Sequence, residues 1–176
     1  PDTLFLYYAP IRLIQIDKEN TSYQLQNEIL YTRDGHILCQ ALKNDNADSQ
    51  LTIPSCVTEI ADGAFYRNSE FGAIEVKGSL ERIGISAFAC ADVGSFYVKG
   101  GVNYLDRGSF YQSAISEWRC HGGVKKYEKS AFQDVDATNG YAIDMNAITK
   151  LYQELLYVNA TTAVSYTHLT LPTILL

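Results

Sequence analysis

The stretch Leu51-Thr-Ile-Pro-Ser-Cys-Val-Thr-Glu-Ile-Ala-Asp-Gly-Ala-Phe65 is the first clear copy of a pattern that recurs three more times along the chain. The four copies place apolar residues in five columns, and every column has successive spacings of 23, 22 and 22 residues. This fixed period predicts a solenoid in which each copy forms one coil. The columns are Leu51, Ile74, Phe96 and Trp118; Ile53, Val76, Val98 and Cys120; Val57, Leu80, Val102 and Val124; Ile60, Ile83, Leu105 and Tyr127; and Phe65, Phe88, Phe110 and Phe132.

Apolar and polar residues alternate within each copy, which predicts one short, half-buried strand per coil. Ile74-Glu75-Val76-Lys77 and Phe96-Tyr97-Val98-Lys99 show this alternation. One such strand cannot bury its apolar face alone, so we expect parallel strands to stack about 4.8 Å apart, with an irregular convex side. Each column then becomes a buried row. The row before the phenylalanines is small and suits a tight turn: Ala64, Ala87, Ser109 and Ala131. Three glycines after the strands are expected to give the backbone freedom to turn: Gly78, Gly100 and Gly122.

The repeat unit resembles that of the BspA-type leucine-rich repeat proteins. The resemblance rests on Leu51–Phe65 and on Ile83-Gly-Ile-Ser-Ala-Phe-Ala-Cys90, which is similar to the isoleucine-glycine, alanine-phenylalanine and cysteine positions of that family. It covers roughly the first 140 residues and implies a leucine-rich-repeat solenoid over residues 1–145. The asparagine ladder of the commoner leucine-rich repeats is missing, and its slots hold Cys56, Ser79, Gly101 and Gly123.

A β-hairpin is predicted over residues 28–40, because Asp34-Gly35 is a strong two-residue turn signal. Similar hairpins interrupt many BspA-type arrays, and we expect this one to be an insertion. Ile11, Ile14 and Ile16 reproduce the spacing of Phe71, Ile74 and Val76, which predicts a strand of an earlier repeat before the hairpin.

The pattern ends after Phe132, and a helix is predicted over residues 146–163. Ile148, Leu151, Tyr152 and Leu155 fall at positions i, i+3, i+4 and i+7 of an amphipathic helix. We expect this helix to cap the open end of the solenoid; the alternative is that it opens a second domain.

The last residues, 164–176, resemble a translated sequencing-adapter tail and are interpreted as non-native. The alternative is an apolar edge strand. Since the chain begins at Pro1 with the repeat already under way, we expect it to be a fragment of a longer protein.

Charge and composition exclude some classes of partner. The net charge is −6 and the pI about 5.0, with no basic run, which disfavours a nucleic-acid partner. No stretch of about 18 apolar residues is present, so we expect no membrane span.

No catalytic or cofactor-binding motif appears in the chain. HExxH, GxSxG, Walker and GxGxxG patterns are all missing, so we predict a protein that is not an enzyme and has no cofactor or metal. Cys120 and His121 are neighbours on a strand and point to opposite faces. The four cysteines (Cys39, Cys56, Cys90 and Cys120) form no CxxC pair, and Cys90 and Cys120 are interpreted as small buried apolar residues. A metal site or a disulfide is the less favoured alternative.

The outward side chains of the predicted strands form the candidate partner-binding face: Glu75, Lys77, Tyr97, Lys99, Arg119 and His121. Tyr97 lies between Glu75 and Arg119 and is expected to make a cation–π contact, and both Tyr and Arg are common interface anchors. Lys77 beside Lys99 is unfavourable without a counter-charge, which indicates an anionic partner. The alternative is an ordinary solvated sheet face.

The family resemblance implies a non-catalytic protein-binding or adhesion module of a secreted or cell-surface protein. The implied partners are host, matrix or other cell-surface proteins. Two alternatives remain open: a structural spacer, and an accessory segment of a larger extracellular enzyme.

Overall fold

The computed structural model describes residues 12–42, 49–68, 71–133 and 135. These residues form eleven strands and contain no helix. The strands are β1 (Tyr23–Gln26), β2 (Ile29–Thr32), β3 (Ile37–Ala41), β4 (Ser49–Ile53), β5 (Glu59–Ile60), β6 (Phe71–Val76), β7 (Leu80–Ile83), β8 (Asp92–Val98), β9 (Val102–Leu105), β10 (Ala114–Cys120) and β11 (Val124–Tyr127).

The coils pair through two sheets. Sheet A has the strand order β1-β2-β3-β5-β7-β9-β11, and sheet B has the order β10-β8-β6-β4. Equivalent strands of successive coils are parallel and in register, so that Ile74 lies opposite both Leu51 and Phe96, and Phe96 lies opposite Trp118. The predicted solenoid of about four turns with stacked parallel strands is therefore confirmed.

Each coil also contributes a second strand, to sheet A, which the alternation of residues did not predict. In β7, Leu80 and Ile83 are buried while Glu81 and Arg82 between them lie outward. Because the inward residues are three apart, this segment lacks the two-residue period of a regular strand. The side of the coil that we expected to be irregular therefore contains a sheet of its own.

Stacked aromatic rings occupy the space between the two sheets. The rings of Phe65 and Phe88 are 4.6 Å apart, those of Phe88 and Phe110 are 5.0 Å apart, and those of Phe110 and Phe132 are 4.9 Å apart. All four side chains are buried, which confirms the predicted phenylalanine row. Each such ring pair contributes about 0.5–1.5 kcal/mol beyond the burial of its area.

The turn that contains each phenylalanine is hydrogen-bonded to the next coil. The Phe65 amide donates to the Ala87 carbonyl at 2.7 Å, and the Phe88 amide donates to the Ser109 carbonyl at the same distance. The predicted small row is fully buried. Two residues before and two residues after the phenylalanine, the backbone adopts positive φ, at Gly63, Ser86 and Gly108 and at Arg67, Cys90 and Gln112.

The glycines after the strands of sheet B have a different role from the predicted one. Gly78, Gly100 and Gly122 are not among the residues with positive φ. A Cβ atom at Gly78 would lie 2.8 Å from the Ser55 carbonyl oxygen, and one at Gly100 would lie 2.8 Å from the Gly78 carbonyl oxygen. These glycines allow the backbones of adjacent coils to approach closely, so the expectation of turning freedom was wrong.

The N-terminal strands β1, β2 and β3 form an antiparallel meander. The β2–β3 turn contains Gly35 with φ +75°. β3 also pairs in parallel with β5, with Leu38 opposite Ile60. An inserted hairpin is therefore not confirmed, because β3 is the first strand of the parallel array in sheet A.

Other predictions have mixed outcomes. Residues 12–16 form no strand, and Ile11 lies outside the described residues. The predicted helix over 146–163 and the tail 164–176 also lie outside them.

All four cysteines are free. Cys120 is buried as predicted, whereas Cys90, which has positive φ two residues after Phe88, is only partly buried.

Candidate functional site

The six predicted site residues lie together on the outer face of sheet B. Glu75, Tyr97 and Arg119 are paired opposite one another on β6, β8 and β10. Lys77, Lys99 and His121 follow directly after these strands and form a second row, which backbone hydrogen bonds between the coils hold in place. The amides of Lys77, Lys99 and His121 donate to the carbonyls of Ile53, Val76 and Val98 at 3.0, 3.0 and 3.1 Å.

Glu75 is the counter-charge of both lysines. Its Oε2 lies 2.5 Å from Lys77 Nζ, and its Oε1 lies 3.3 Å from Lys99 Nζ. The hydrogen bond with Lys77 keeps the pKa of the Glu75 carboxyl below its ordinary value and the pKa of the Lys77 ammonium group above its own. The structure therefore provides the counter-charge without which the neighbouring lysines would be unfavourable.

Tyr97 and Arg119 have different partners from the predicted ones. The Tyr97 hydroxyl lies 2.7 Å from His121 Nε2, and the two rings meet edge to face with centroids 5.1 Å apart. Arg119 forms an ion pair with Glu117 on its own strand. Among the described residues, the cation–π contacts join Arg67 to Tyr66 and Lys126 to Tyr104, so the predicted contact between Tyr97 and Arg119 is not formed.

Glu117 is the residue of this face that sequence reasoning missed. It lies opposite Ser95 and points outward. Arg119, which comes two residues later on β10, points outward in the same way. The alternation that identified Arg119 also marks Glu117, because residues two apart on a strand share a face. The outer face of sheet B therefore has a third row, Gln50, Ala73, Ser95 and Glu117, beside the two predicted rows.

The outer face of sheet A is built around one arginine. Arg82 Nη1 lies 2.7 Å from Glu59 Oε1, and Arg82 Nη2 lies 2.5 Å from Asp62 Oδ1 and 2.9 Å from Asp106 Oδ2. These three carboxylates come from the coils on either side of β7. Burial lowers the pKa of the Arg82 guanidinium, but the hydrogen bonds with Asp106, Asp62 and Glu59 outweigh it and hold this pKa above its ordinary value.

Three further findings concern chemistry and membranes. Cys120 is buried and His121 is exposed, so they do lie on opposite faces of the chain. Within the described ranges, no group of three or more His, Cys, Asp or Glu side chains is placed to hold a metal ion. The part of the chain that the structure describes contains no helix long and apolar enough to span a bilayer.

A similar solved structure is the crystal structure of the pneumococcal vaccine antigen PcpA. The two structures align with a TM-score of 0.50 at 17% sequence identity. The alignment covers 81% of this chain and 46% of the antigen chain, so the chain spans about half the length of that protein. A likeness at this identity shows the fold. A comparison with curated proteins found no match.

The family comparison agrees with the architecture in detail. The model of the BspA type leucine-rich repeat region matches six copies over residues 35–139, which is more than half of the chain. The match begins at Gly35, in the turn before β3, and so includes β3 as part of the array, as the strand pairing does. The chain belongs to the BspA-type leucine-rich repeat family.

Proposed function

We propose that this chain is a non-catalytic protein-binding or adhesion module of a secreted or cell-surface protein, and that the outer face of sheet B contacts the partner. The observation that carries the proposal is the register of this face. Four parallel strands hold an aromatic ring, two lysines and an arginine on one surface, at positions set by the backbone ladder. Such a surface offers several anchors at once, and Tyr and Arg are the side chains most often found at interface hot spots.

The exposure of the charged groups supports the choice of this face. The Arg119 side chain retains 57% of its accessible surface and Lys99 retains 49%, whereas Arg82 on the other sheet retains 28%. Arg82 already contacts three carboxylates, so a partner would have to break ion pairs to reach it. Arg119 and Lys99 keep much of their hydrogen-bonding capacity open to a partner.

Family membership supports the proposed location and partner class. The resemblance to BspA-type proteins implies a secreted or cell-surface setting, and with it host, matrix or other cell-surface proteins as partners. The pneumococcal structure supports the fold alone.

The proposal is tested by binding to a panel of purified extracellular-matrix proteins, with two matched double variants. Tyr97→Ala with Arg119→Ala removes a ring and a cation from the outer face of sheet B. Tyr104→Ala with Lys126→Ala removes the same two groups from the outer face of sheet A, where Lys126 lies 5.5 Å from the Tyr104 ring. We expect the first variant to raise Kd at least about tenfold and the second to leave it within about twofold. Unchanged binding of the first variant would remove this face from the site.

A structural spacer is the second candidate. The contacts of Arg82 with both neighbouring coils and the continuous aromatic stack favour a stiff rod. A spacer would bind no matrix protein at any concentration, and its free energy of unfolding would increase with the number of coils. The third candidate, an accessory segment of a larger extracellular enzyme, requires a catalytic domain in the same reading frame. Sequencing the full gene tests it directly.

A further inference from the structure

The charge on the outer face of sheet B is unevenly distributed along the strands. The carboxylates Glu75 and Glu117, together with the exposed Asp92 at the start of β8, lie within the strands. The row just beyond the strand ends contains Lys77, Lys99 and His121 and no carboxylate; these three residues are called the basic row here. The three permanent cations, Lys77, Lys99 and Arg119, therefore lie at or near the carboxyl ends of the strands, in a chain whose net charge is −6.

His121 is placed so that it can change the charge of the basic row. It is exposed, and in the described part of the chain no salt bridge joins it to a carboxylate. The titratable and charged groups facing it are Tyr97 on β8, Lys99 just after β8, and Arg119 on β10. Histidine is the side chain type whose charge most readily changes near neutral pH.

The hydrogen bond between Tyr97 and His121 is compatible with both protonation states. Neutral Nε2 accepts a hydrogen bond from the tyrosine hydroxyl, whereas protonated Nε2 donates one to the tyrosine oxygen. The ring therefore keeps its position while the face gains one positive charge. A switch of this kind needs no rearrangement of the backbone.

We propose that the basic row, with Arg119, binds an acidic peptide segment of the partner protein, and binds it more tightly when His121 is protonated. This inference rests on the proposed function of the same face. Charge complementarity selects the occupant: a short compact row of cations matches a few carboxylates, whereas the chain's net negative charge repels a long polyanion. The Glu75 carboxylate, shared between two lysines, leaves each lysine with part of its charge uncompensated.

The test uses the full chain and a rhodamine-labelled octaglutamate peptide, with octaglutamine as the neutral probe. Fluorescence anisotropy at pH 5.5 and pH 7.5 gives Kd, and glutamate stays ionised at both values. We expect octaglutamate to bind about three- to tenfold more tightly at pH 5.5, as one added charge within a Debye length implies, and octaglutamine not to bind. His121→Gln should abolish the pH dependence and keep the affinity measured at pH 7.5.

Two charge variants locate the site. Lys77→Gln with Lys99→Gln should weaken octaglutamate binding about tenfold at both pH values. Lys125→Gln with Lys126→Gln on β11 removes the same charge from sheet A and should change Kd less than twofold. Circular dichroism confirms that each variant is folded, which the exposure of these side chains favours.

Distinct results would overturn this inference or the proposed function. Matrix-protein binding that depends on Tyr97 and Arg119, without octaglutamate binding, would overturn the acidic-peptide inference alone. A pH dependence that survives His121→Gln would overturn the role of His121. Binding to phosphatidylserine vesicles in place of octaglutamate would overturn the peptide as the occupant. Loss of all binding in every assay would overturn the proposed function as well.

Discussion

The two outer faces of the solenoid use charge in opposite ways. On sheet A, Arg82 is surrounded by three carboxylates from neighbouring coils and is largely shielded. On sheet B, one carboxylate, Glu75, is shared by two exposed lysines, and His121 contacts the Tyr97 hydroxyl. The same coil repeat thus produces one face whose arginine is shielded by three carboxylates and another whose cations share fewer carboxylates and are more exposed. This difference supports the proposal that the face of sheet A serves mainly stability and the face of sheet B serves recognition.

The largest expected effect comes from the core that the two faces share. Phe88 stacks on Phe65 and Phe110 and meets Phe96 edge to face. Phe88→Ala should lower the free energy of unfolding by about 3–5 kcal/mol, because it removes a fully buried ring and leaves a cavity between the sheets. Urea denaturation followed by circular dichroism measures this, and partner binding should be lost in parallel. If the Phe88→Ala variant were strongly destabilised and still bound the partner fully, binding would not depend on the shared core.

Alkaline pH should destabilise the protein mainly through sheet A. Burial raises the pKa of Tyr31, on β2, to about 12. The unfolded chain, with a tyrosine pKa near 10, loses its proton first as pH rises, so the stability contributed by Tyr31 is complete below about pH 10 and lost through about pH 12. The loss amounts to about 2–3 kcal/mol.

Urea midpoints between pH 9 and pH 11.5 check this expectation. Tyr31→Phe should flatten the alkaline decline. Cys39, whose pKa burial raises to about 11, adds a second decline with the same sign and starting at lower pH. An alkaline profile that Tyr31→Phe leaves unchanged would contradict the assignment to Tyr31.

A matched pair of arginine variants directly tests the difference in stability between the two outer faces. Arg82→Gln leaves Glu59, Asp62 and Asp106 without their shared cation, and should cost about 1–2 kcal/mol of stability after allowance for partial exposure. Arg119→Gln removes a more exposed arginine with one ion-pair partner, and should change stability by less than about 0.5 kcal/mol. Thermal unfolding of both variants gives the difference. Equal destabilisation would remove the distinction between the two faces.

A single buried polar atom in the core should give a small change of opposite sign, a gain in stability. Ser109 occupies the small row otherwise filled by alanine, and its buried hydroxyl has no hydrogen-bond partner. Ser109→Ala should stabilise the fold by about 1 kcal/mol, because it removes an unpaired buried hydroxyl. Ser113→Ala is the control: that hydroxyl donates to the Phe110 carbonyl at 2.8 Å, so its removal should destabilise by about 1 kcal/mol. Calorimetry distinguishes the opposite signs.

Much of the fold was predictable because the repeat spacing specifies which residues become neighbours. The phenylalanine column, the Trp118 column and the pairing of Glu75 with Tyr97 all follow from the period of 22 to 23 residues. Sheet A was missed because its inward residues are three apart, which conceals the strand from a search for alternation. The close approach of the coils at Gly78 and Gly100 was also missed, since the spacing of a glycine does not show whether it serves conformation or contact.

The candidate face was likewise only partly predictable from the sequence. The fixed period of the sequence specifies the register of a repeat solenoid. Its two-residue alternation specifies the direction of the side chains, so it predicts that six polar residues share one face of a sheet. Only the tertiary structure decided that Glu75 joins Lys77 to Lys99, that Tyr97 contacts His121, and that Arg119 contacts Glu117. The physical reason is that long side chains on such a face have several partners within reach, and the rotamers that place them, together with the twist of the sheet, decide which contact forms.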